Sequence, residues 1–205
     1  MILTPYLLTI LGAYLLGCSN MALYVSRARG VDLRSGGSGN LGAANTMTLM
    51  GWKYAVLVGA HDIGKAVLAV VLARRLFPGA EYVGFVAGVS CVLGHMYPFY
   101  LRFRGGKGFA SYLGMILALN WRFALIVMAG VLLLTLITDY IVVGTVFSVV
   151  SYPVYTAIRS GWLPMGILCV ATLAILYKHR QNYVRIWNGT EIGLLRASRG
   201  KYRVK

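Results

Sequence analysis

One stretch of the chain, residues 94–114, places cations and glycines between two apolar runs. It reads GHMYPFYLRFRGGKGFASYLG, and its candidate functional residues are His95, Arg104, Gly105, Gly106, Lys107 and Gly108. Because glycine has no Cβ, the backbone N–H groups of the glycine run can turn toward one point. A helix that begins at Gly108 or Phe109 directs the positive end of its dipole to the same point. The stretch therefore predicts a phosphate-binding site, with a loop that only fixes membrane topology as the alternative.

A second set of small and polar residues, the 34–45 group, has the sequence RSGGSGNLGAAN. Its glycines match G-x-G-x-x-G, but the dinucleotide-binding fold that uses this motif needs a buried strand before it. Apolar segments of membrane length flank the group instead, so we reject that interpretation. The backbone donors and short polar side chains suit an anionic ligand, although Ser38 or Asn40 could equally cap a helix. The candidate residues are Gly37, Ser38, Gly39, Asn40, Gly42 and Asn45.

A third set, the 178–193 group, reads KHRQNYVRIWNGTEIG. His179, Asn182 and Arg185 recur at helical spacing, so one helix face is polar and can meet the other polar groups. Glu191 contributes one of the five acidic side chains of the chain. A histidine in such a place is more often an interfacial residue than a catalyst. The prediction of a site therefore depends on the 34–45, 94–108 and 178–193 groups meeting in space.

Asp62 and Lys65 lie inside an apolar segment, three positions apart, and share one helix face. A charge at mid-bilayer costs about 2.5–3.5 kcal/mol or more, and pairing lowers that cost. We interpret the two residues as a buried structural ion pair that orients its helix. The same pair also leaves open another class of function, a small membrane transporter for an anionic or phosphorylated solute.

The composition indicates a membrane protein. Of 205 residues, 59% are hydrophobic and only 25 are charged, about half the charged fraction of a soluble domain. The net charge of +15 comes from cations beside apolar segments, which favours membrane lipids over nucleic acid as partners. The three cysteines fall inside apolar runs and the three histidines are far apart. We therefore expect no disulfide framework, no metal site and no other cofactor.

Seven apolar segments span residues 4–26, 53–77, 80–101, 108–119, 121–138, 139–158 and 162–180. The fourth is shorter than the roughly 20 residues that cross a bilayer. If the N-terminus is outside, fifteen of the twenty lysines and arginines face inwards and four outwards, with Lys65 inside a segment. This bias predicts an all-α integral membrane protein with about seven transmembrane helices and a cytoplasmic C-terminus. One membrane domain, residues 1–195, would precede a basic cytoplasmic tail, residues 196–205.

Together the motifs resemble the acyl-phosphate:glycerol-3-phosphate acyltransferase family of bacterial membranes. The matching pieces are GSGNLGAAN at 37–45, Asp62-x-x-Lys65, GHMYP at 94–98, FRGGKG at 103–108, and HRxN at 179–182 with Arg185 and GTE at 189–191. They follow the family's order and spacing over nearly the whole chain. The chain departs from the family where Thr48 replaces an arginine, Ala44 replaces a threonine, and Cys18-Ser19-Asn20 replaces a small-Ile-Pro turn. A divergent paralogue with another acceptor is therefore an alternative.

The resemblance implies an inner-membrane enzyme with a cytoplasmic active site. Its partners would be acyl phosphate, glycerol 3-phosphate and membrane lipids, and it would acylate the 1-hydroxyl to give lysophosphatidate and phosphate in phospholipid synthesis. Catalytic roles are expected for Ser38, His95, Lys107, His179 and Asn182, with His95, His179 or a substrate phosphate oxygen as the base. The residues expected to bind substrate are Gly37, Gly39, Asn40, Gly42, Asn45, Arg104, Gly105, Gly106, Gly108, Arg185 and Glu191. A third hypothesis is that the protein is a structural partner that anchors other lipid enzymes, in which case it would show no turnover.

Overall fold

The computed structural model describes residues 3–193 and shows an all-helical protein. The helices of this range are α1 Thr4–Cys18, α2 Met21–Arg29, α3 Ala43–Met50, α4 Trp52–Leu76, α5 Val83–Met96, α6 Phe109–Leu119, α7 Trp121–Thr138, α8 Ile141–Ser160, α9 Trp162–Lys178 and α10 Arg180–Trp187. One 3₁₀ turn, Phe99–Leu101, follows α5. The all-α class predicted from the sequence is confirmed, whereas the basic tail predicted at 196–205 lies outside the described residues.

Every apolar segment predicted from the sequence is helical. Within the described range, five stretches are long and apolar enough to cross a membrane: residues 4–29, α4, residues 83–101, α7 and α8. The pair formed by α9 and α10 is bent by 44° and makes a sixth when it is taken as one span. The 11-residue α6 is the short fourth segment. The protein is thus a multi-pass membrane protein, and the number of seven crossings and the N-outside orientation stay predictions.

The first apolar segment consists of two helices rather than one. α1 and α2 meet at Ser19 and Asn20, and the Asn20 side chain caps α2. The break exposes two carbonyl groups that other residues bind: Tyr100 donates to the Cys18 oxygen and Lys65 donates to the Ser19 oxygen, each at 2.7 Å. A broken helix at membrane depth is tolerated where such partners satisfy the backbone. The break therefore ties α1 to the elements that carry the polar groups.

Glycines allow two pairs of helices to approach closely. A Cβ on Gly17 would collide with the backbone of Cys91 in α5, and one on Gly94 would collide with the backbone of α1. A Cβ on Gly114 of α6 would collide with the backbone of α4. Small residues at helix interfaces are the usual means of close packing in lipid. These contacts hold α1 against α5 and α6 against α4.

The short helix α6 lies in the centre of the bundle. Its residues Tyr112, Met115 and Ile116 are fully buried, and it packs against α4, α5 and α7. At a rise of about 1.5 Å per residue it is roughly 16 Å long, about half the thickness of the bilayer core. Its N-cap residue is Gly108, whose φ of 92° favours glycine. The N-terminus of α6 therefore lies within the bundle, next to the polar loops.

Candidate active site

The loop of the 34–45 group is held by the side chain of Asn45. Its Oδ1 accepts a hydrogen bond from the Ser38 N–H at 2.8 Å, and its Nδ2 donates to the Leu33 carbonyl oxygen at 2.8 Å. Gly37, with φ of 57°, packs so closely that a Cβ would collide with Asn45 Oδ1. The loop thereby carries its polar side chains to the first turn of α3, a helix with no counterpart among the predicted segments.

The glycines of the 94–108 group pack the loop against the end of α5. The Gly105 N–H donates to the Met96 carbonyl oxygen and the Gly106 N–H donates to the His95 carbonyl oxygen, each at 3.1 Å. A Cβ on Gly106 would collide with the His95 ring at Nε2. The N–H groups of Gly105 and Gly106, which the sequence suggested as donors to a ligand, thus bind backbone oxygens of the protein itself. These two glycines are required because the loop lies on the histidine ring and the α5 backbone.

The N-terminus of α6 supplies the free backbone donors instead. Gly108, Phe109 and Ala110 line the same cavity as Lys107. The first N–H groups of an α-helix have no partner within the helix, and they carry the positive end of its dipole. The first turn of α6 and the Lys107 ammonium together make this part of the cavity suited to a phosphate.

Lys107 connects the 94–108 group to the 178–193 group. Its Nζ donates to Asn182 Oδ1 at 2.5 Å, and Asn182 Nδ2 donates to Glu191 Oε1 at 2.5 Å. The other carboxylate oxygen of Glu191 accepts a hydrogen bond from Arg185 Nε at 2.6 Å. Asn182 is buried, so its amide is fixed between the two partners. Arg185 therefore acts on the cavity through Glu191 and Asn182, and Asn182 orients the lysine.

Burial makes the charge of Lys107 costly. Burial, together with the positive charge of Arg185, lowers the pKa of this lysine to about 8, while Glu191 acts in the opposite direction. A bound anion would favour the protonated form, since an opposite charge nearby stabilises an ammonium. The cavity thus holds a cation whose charge is incompletely neutralised by the protein.

His179 presents one ring nitrogen to the cavity and uses the other for support. Its Nδ1 is 2.8 Å from the Ile175 carbonyl oxygen. A carbonyl oxygen can only accept, so Nδ1 carries a proton and Nε2 of the neutral ring has the lone pair. The side chain is buried and lies in the cavity wall. It is therefore placed to accept a hydrogen bond or a proton from a bound molecule.

Asp62 and Lys65 form a network with His95. The Lys65 Nζ is 2.8 Å from Asp62 Oδ1 and 2.9 Å from His95 Nδ1, and Asp62 Oδ1 is 3.3 Å from the same nitrogen. All three side chains are buried, and Asp62 and His95 line the cavity. The interpretation of Asp62 and Lys65 as a structural pair was therefore incomplete. A buried charge within an apolar segment was the sequence signal for this role.

These elements enclose one cavity of about 170 Å³. Of the residues predicted to form the site, its wall contains Ser38, Asn40, Gly42, Asn45, His95, Lys107, Gly108, His179, Asn182 and Glu191. The wall does not include Gly37, Gly39, Arg104, Gly105, Gly106 or Arg185. The Arg104 side chain is exposed, and its carbonyl oxygen accepts a hydrogen bond from Arg34 at 2.8 Å. Among residues 3–193, no cluster of His, Cys, Asp and Glu could hold a metal ion.

No sequence motif indicated the apolar wall of the cavity. That wall is formed by Met47 of α3, Phe109 and Ala110 of α6, Ile141 and Val142 of α8, and Ile192. Thr48 and Thr145 also line the cavity. A cavity lined by both an ammonium group and aliphatic side chains suits an amphipathic anion. Apolar residues that face a cavity cannot be told by type from those that face lipid, so no motif identifies this wall.

The fold and the cavity define a multi-pass helical membrane protein with a cavity lined by residues of three separate polar groups. The chain belongs to the glycerol-3-phosphate acyltransferase family, whose family model matches residues 7–189. The resemblance that the motifs suggested is thereby confirmed.

Relatives and solved structures are similar over nearly their full lengths. The chain is 35% identical over 189 residues to glycerol-3-phosphate acyltransferase 1 of Oceanobacillus iheyensis, covering 88% of this chain and 91% of the relative. It is 38% identical over 189 residues to the glycerol-3-phosphate acyltransferase of Coxiella burnetii, covering 91% and 96%. The crystal structure of PlsY (YgiH), an integral membrane glycerol 3-phosphate acyltransferase, in its glycerol 3-phosphate form matches with a TM-score of 0.86 and 32% identity, covering 92% of this chain and 94% of that one. The lysophosphatidic acid form of PlsY matches with a TM-score of 0.83 and 31% identity, covering 94% and 97%.

Proposed function

We propose that this protein is a membrane-bound acyltransferase that acylates the 1-hydroxyl of glycerol 3-phosphate with acyl phosphate as the donor. The products are lysophosphatidate and inorganic phosphate. The observation that carries the proposal is the position of Lys107, between the first turn of α6, the fixed amide of Asn182 and the apolar wall of the cavity. Relatives named for glycerol-3-phosphate acyl transfer support the reaction class and the acceptor.

The reaction needs little from the protein beyond positioning and charge. The acceptor hydroxyl oxygen forms a bond to the acyl carbonyl carbon, and the bond from that carbon to the phosphate oxygen breaks. The hydroxyl proton passes to Nε2 of His179 or to an oxygen of the substrate phosphate, and phosphate departs with the bonding electron pair. The Lys107 ammonium and the N–H groups of the α6 N-terminus stabilise the negative charge on the leaving phosphate. Ser38 and Asn40, carried by the loop that Asn45 holds, orient the acyl-phosphate head.

The acceptor is held on the side of the cavity formed by the 178–193 group. His179 presents its Nε2 there, and Asn182 keeps the lysine in place. The exposed Arg104 lies outside the wall, so we assign it to electrostatic attraction of phosphorylated substrates rather than to direct binding. Both substrates are anions, and the net charge of +15 favours their approach.

The acyl chain binds along the apolar wall. Met47 of α3, Ile141 and Val142 of α8 and Phe109 at the start of α6 all line the cavity. Burying a methylene group contributes about 0.8 kcal/mol, so even a few carbons against this wall hold the donor firmly. The cation bias of the loops supports a cytoplasmic position for the cavity in the inner membrane.

Assay of the purified protein tests the proposal. Detergent-solubilised protein is incubated with acyl phosphate and radiolabelled glycerol 3-phosphate, and lysophosphatidate and phosphate are measured. We expect equal amounts of both products, and a loss of at least about 10³-fold in Lys107→Ala because the charge stabilisation is removed.

Two controls make the assay specific. Lys53→Ala removes an exposed lysine outside the cavity wall and should leave the rate unchanged. Replacing acyl phosphate by an acyl thioester should abolish the reaction. Transfer from the thioester alone would overturn the donor assignment, and near-normal activity of a well-folded Lys107→Ala protein would overturn the site.

A further inference from the structure

The two histidines of the cavity are held at the same ring nitrogen by opposite kinds of group. Nδ1 of His179 faces the Ile175 carbonyl oxygen at 2.8 Å, and this oxygen can only accept a hydrogen bond. Nδ1 of His95 faces the Lys65 ammonium at 2.9 Å, and an ammonium can only donate. The supporting partner of a histidine determines which nitrogen carries the proton. The two rings therefore present different groups to the cavity.

Lys65 has one acceptor for each of its three protons. Its Nζ is 2.7 Å from the Ser19 carbonyl oxygen, 2.8 Å from Asp62 Oδ1 and 2.9 Å from His95 Nδ1. A proton on His95 Nδ1 would point at an ammonium proton and would leave that ammonium proton without an acceptor. Because Lys65 is buried, such a loss has the full cost of an unsatisfied charged donor.

Asp62 competes with Lys65 as the partner of His95 Nδ1, and its distance to that nitrogen is longer. Its Oδ1 is 3.3 Å from Nδ1 and already accepts from Lys65 at 2.8 Å. Nδ1 of His95 therefore holds the lone pair, and the proton lies on Nε2. The Nε2 edge of the ring rests against Gly106, next to Lys107, and the ring lines the cavity.

We propose that Lys65 is a positioning residue that fixes His95 as an Nε2–H donor toward the substrate. This inference rests on the proposed function and adds a division of roles to it. His95 cannot take the hydroxyl proton in this state; it donates a hydrogen bond to an oxygen of the acyl phosphate. Of the two rings, His179 is the one whose Nε2 can accept.

The tautomer is measured directly by nitrogen-15 nuclear magnetic resonance of protein that contains labelled histidine. His95→Gln and His179→Gln assign the resonances. In the unmodified protein we expect the proton on Nε2 of His95 and on Nδ1 of His179. A proton on Nδ1 of His95 would overturn the proposal. The measurement needs no turnover, so its result stands whether or not the proposed reaction is observed.

Removing the donor tests the part played by Lys65. In Lys65→Met, Nδ1 of His95 retains only the Asp62 oxygen, so we expect the proton to move to Nδ1. Lys107→Met is the matched control, because it removes the neighbouring lysine without touching Nδ1, and His95 should keep its tautomer. An unchanged tautomer in a folded Lys65→Met protein contradicts the proposal. If Lys65→Met does not fold, the spectrum of the unmodified protein still shows which ring nitrogen of His95 carries the proton and so tests the proposal.

Turnover distinguishes a hydrogen-bond donor from a base. Glutamine at position 95 can donate through its amide but cannot take a proton, and leucine can do neither. We expect His95→Gln to keep at least about one tenth of kcat and His95→Leu to lose about 10²-fold, the usual effect of removing one such donor. Equal inactivation of two well-folded variants would show that His95 acts as the base and would overturn the assignment.

Discussion

At Lys107, a single side chain sets how the charge of the cavity responds to pH. Burial and the charge of Arg185 lower its pKa to about 8. The protonated form stabilises the leaving phosphate, and it is lost as the pH rises through that value. We therefore expect kcat/KM to fall above about pH 8. The second ionisation of a phosphate ester lies at about pH 6, so titration of the substrate does not produce this fall.

The variant Lys107→Arg separates this lysine from other titrating groups. A guanidinium stays charged up to about pH 12, so the decline above pH 8 should disappear even though its different shape reduces the maximal rate. Lys53→Arg, at an exposed position away from the cavity, should keep the decline. A profile of Lys107→Arg that still falls near pH 8 would assign the titration to another group.

Thr48 marks a second point at which the charge of the cavity can be changed. It lies in the cavity wall on α3, and its Oγ1 donates to the Ala44 carbonyl oxygen at 3.2 Å. Thr48→Arg introduces a guanidinium that can bind a phosphate through two hydrogen bonds. We expect KM for one of the phosphorylated substrates to fall about tenfold or more, since a charge-assisted bond contributes about 1.5–3 kcal/mol.

Thr48→Gln is the control for that substitution, because it adds length and hydrogen bonding without charge. It should leave KM within about twofold of the unmodified enzyme. Initial rates at varied acceptor and varied donor show which substrate the arginine binds. If Thr48→Arg raises both KM values, position 48 lies outside the phosphate sites.

At the residue scale, the site residues that could be predicted are those whose type and spacing indicate a chemical role. The run around Lys107 and the helical spacing of His179 and Asn182 were sufficient to select residues that meet in one cavity. The contact between Lys65 and His95 could not be predicted, because it depends on how α4 and α5 face each other. The same applies to Gly105 and Gly106, whose N–H groups bind α5 instead of facing the cavity.

At the scale of elements, the loop that carries Lys107 is set by a close contact with α5 and with the 34–45 group. A Cβ on Gly106 would collide with His95 Nε2 and lie 2.9 Å from the Leu41 carbonyl oxygen. Gly106→Ala must therefore displace the loop or the ring. We expect kcat to fall about 10²-fold, because a shift near 1 Å costs about that much. The tautomer of His95, the helix content and the elution volume in size-exclusion chromatography show whether the fold of the variant is retained.

Gly64→Ala is the matched substitution on α4, since a Cβ at Gly64 has nothing within 4 Å. Alanine is favoured over glycine in a helix by about 1 kcal/mol, so this variant should be at least as stable and fully active. Comparable loss of activity in both variants would mean that glycine content, and not the contact of Gly106, determines the effect.

The helices could be predicted where the length of an apolar segment determines whether it can cross the bilayer. Eleven apolar residues between Gly108 and Asn120 cannot cross a bilayer, and α6 is indeed short. The break at Ser19 and Asn20 was missed, because an apolar run continues on both sides of it. On α7 only 17% of the most apolar stretch is buried. Lipid-facing and protein-facing positions are both apolar there, so the pattern does not indicate which face packs.

For the molecule as a whole, two polar contacts mark the end of the bundle opposite the cavity. Arg74 near the end of α4 donates to the Ala118 carbonyl oxygen of α6 at 3.1 Å, and Asn120 donates to the Tyr155 hydroxyl of α8 at 3.0 Å. The last turns of α4, α6 and α8 therefore lie together. The cavity is lined by the first turns of α6 and α8, so the three polar groups share the other end.

Because the cavity lies at one end of the bundle, labelling the two ends separately tests the orientation of the protein in the membrane. Lys53 and Asn188 are exposed near the cavity end, whereas Gly79 and Ser160 are exposed at the opposite end. The excess of cations near the cavity end predicts that this end is cytoplasmic. Single cysteines at these four positions, in a protein whose three native cysteines are replaced by alanine, can be labelled with a membrane-impermeant maleimide on intact cells.

We expect label at positions 79 and 160, and label at positions 53 and 188 only after the cells are lysed. The expectation follows from the energetic cost of moving clustered cations across the membrane against its potential, about 2.3 kcal/mol per charge per 100 mV. It also has a chemical basis, since glycerol 3-phosphate and acyl phosphate are anions that do not cross lipid unaided. The reversed pattern would place the cavity outside and would contradict the cytoplasmic location proposed for it.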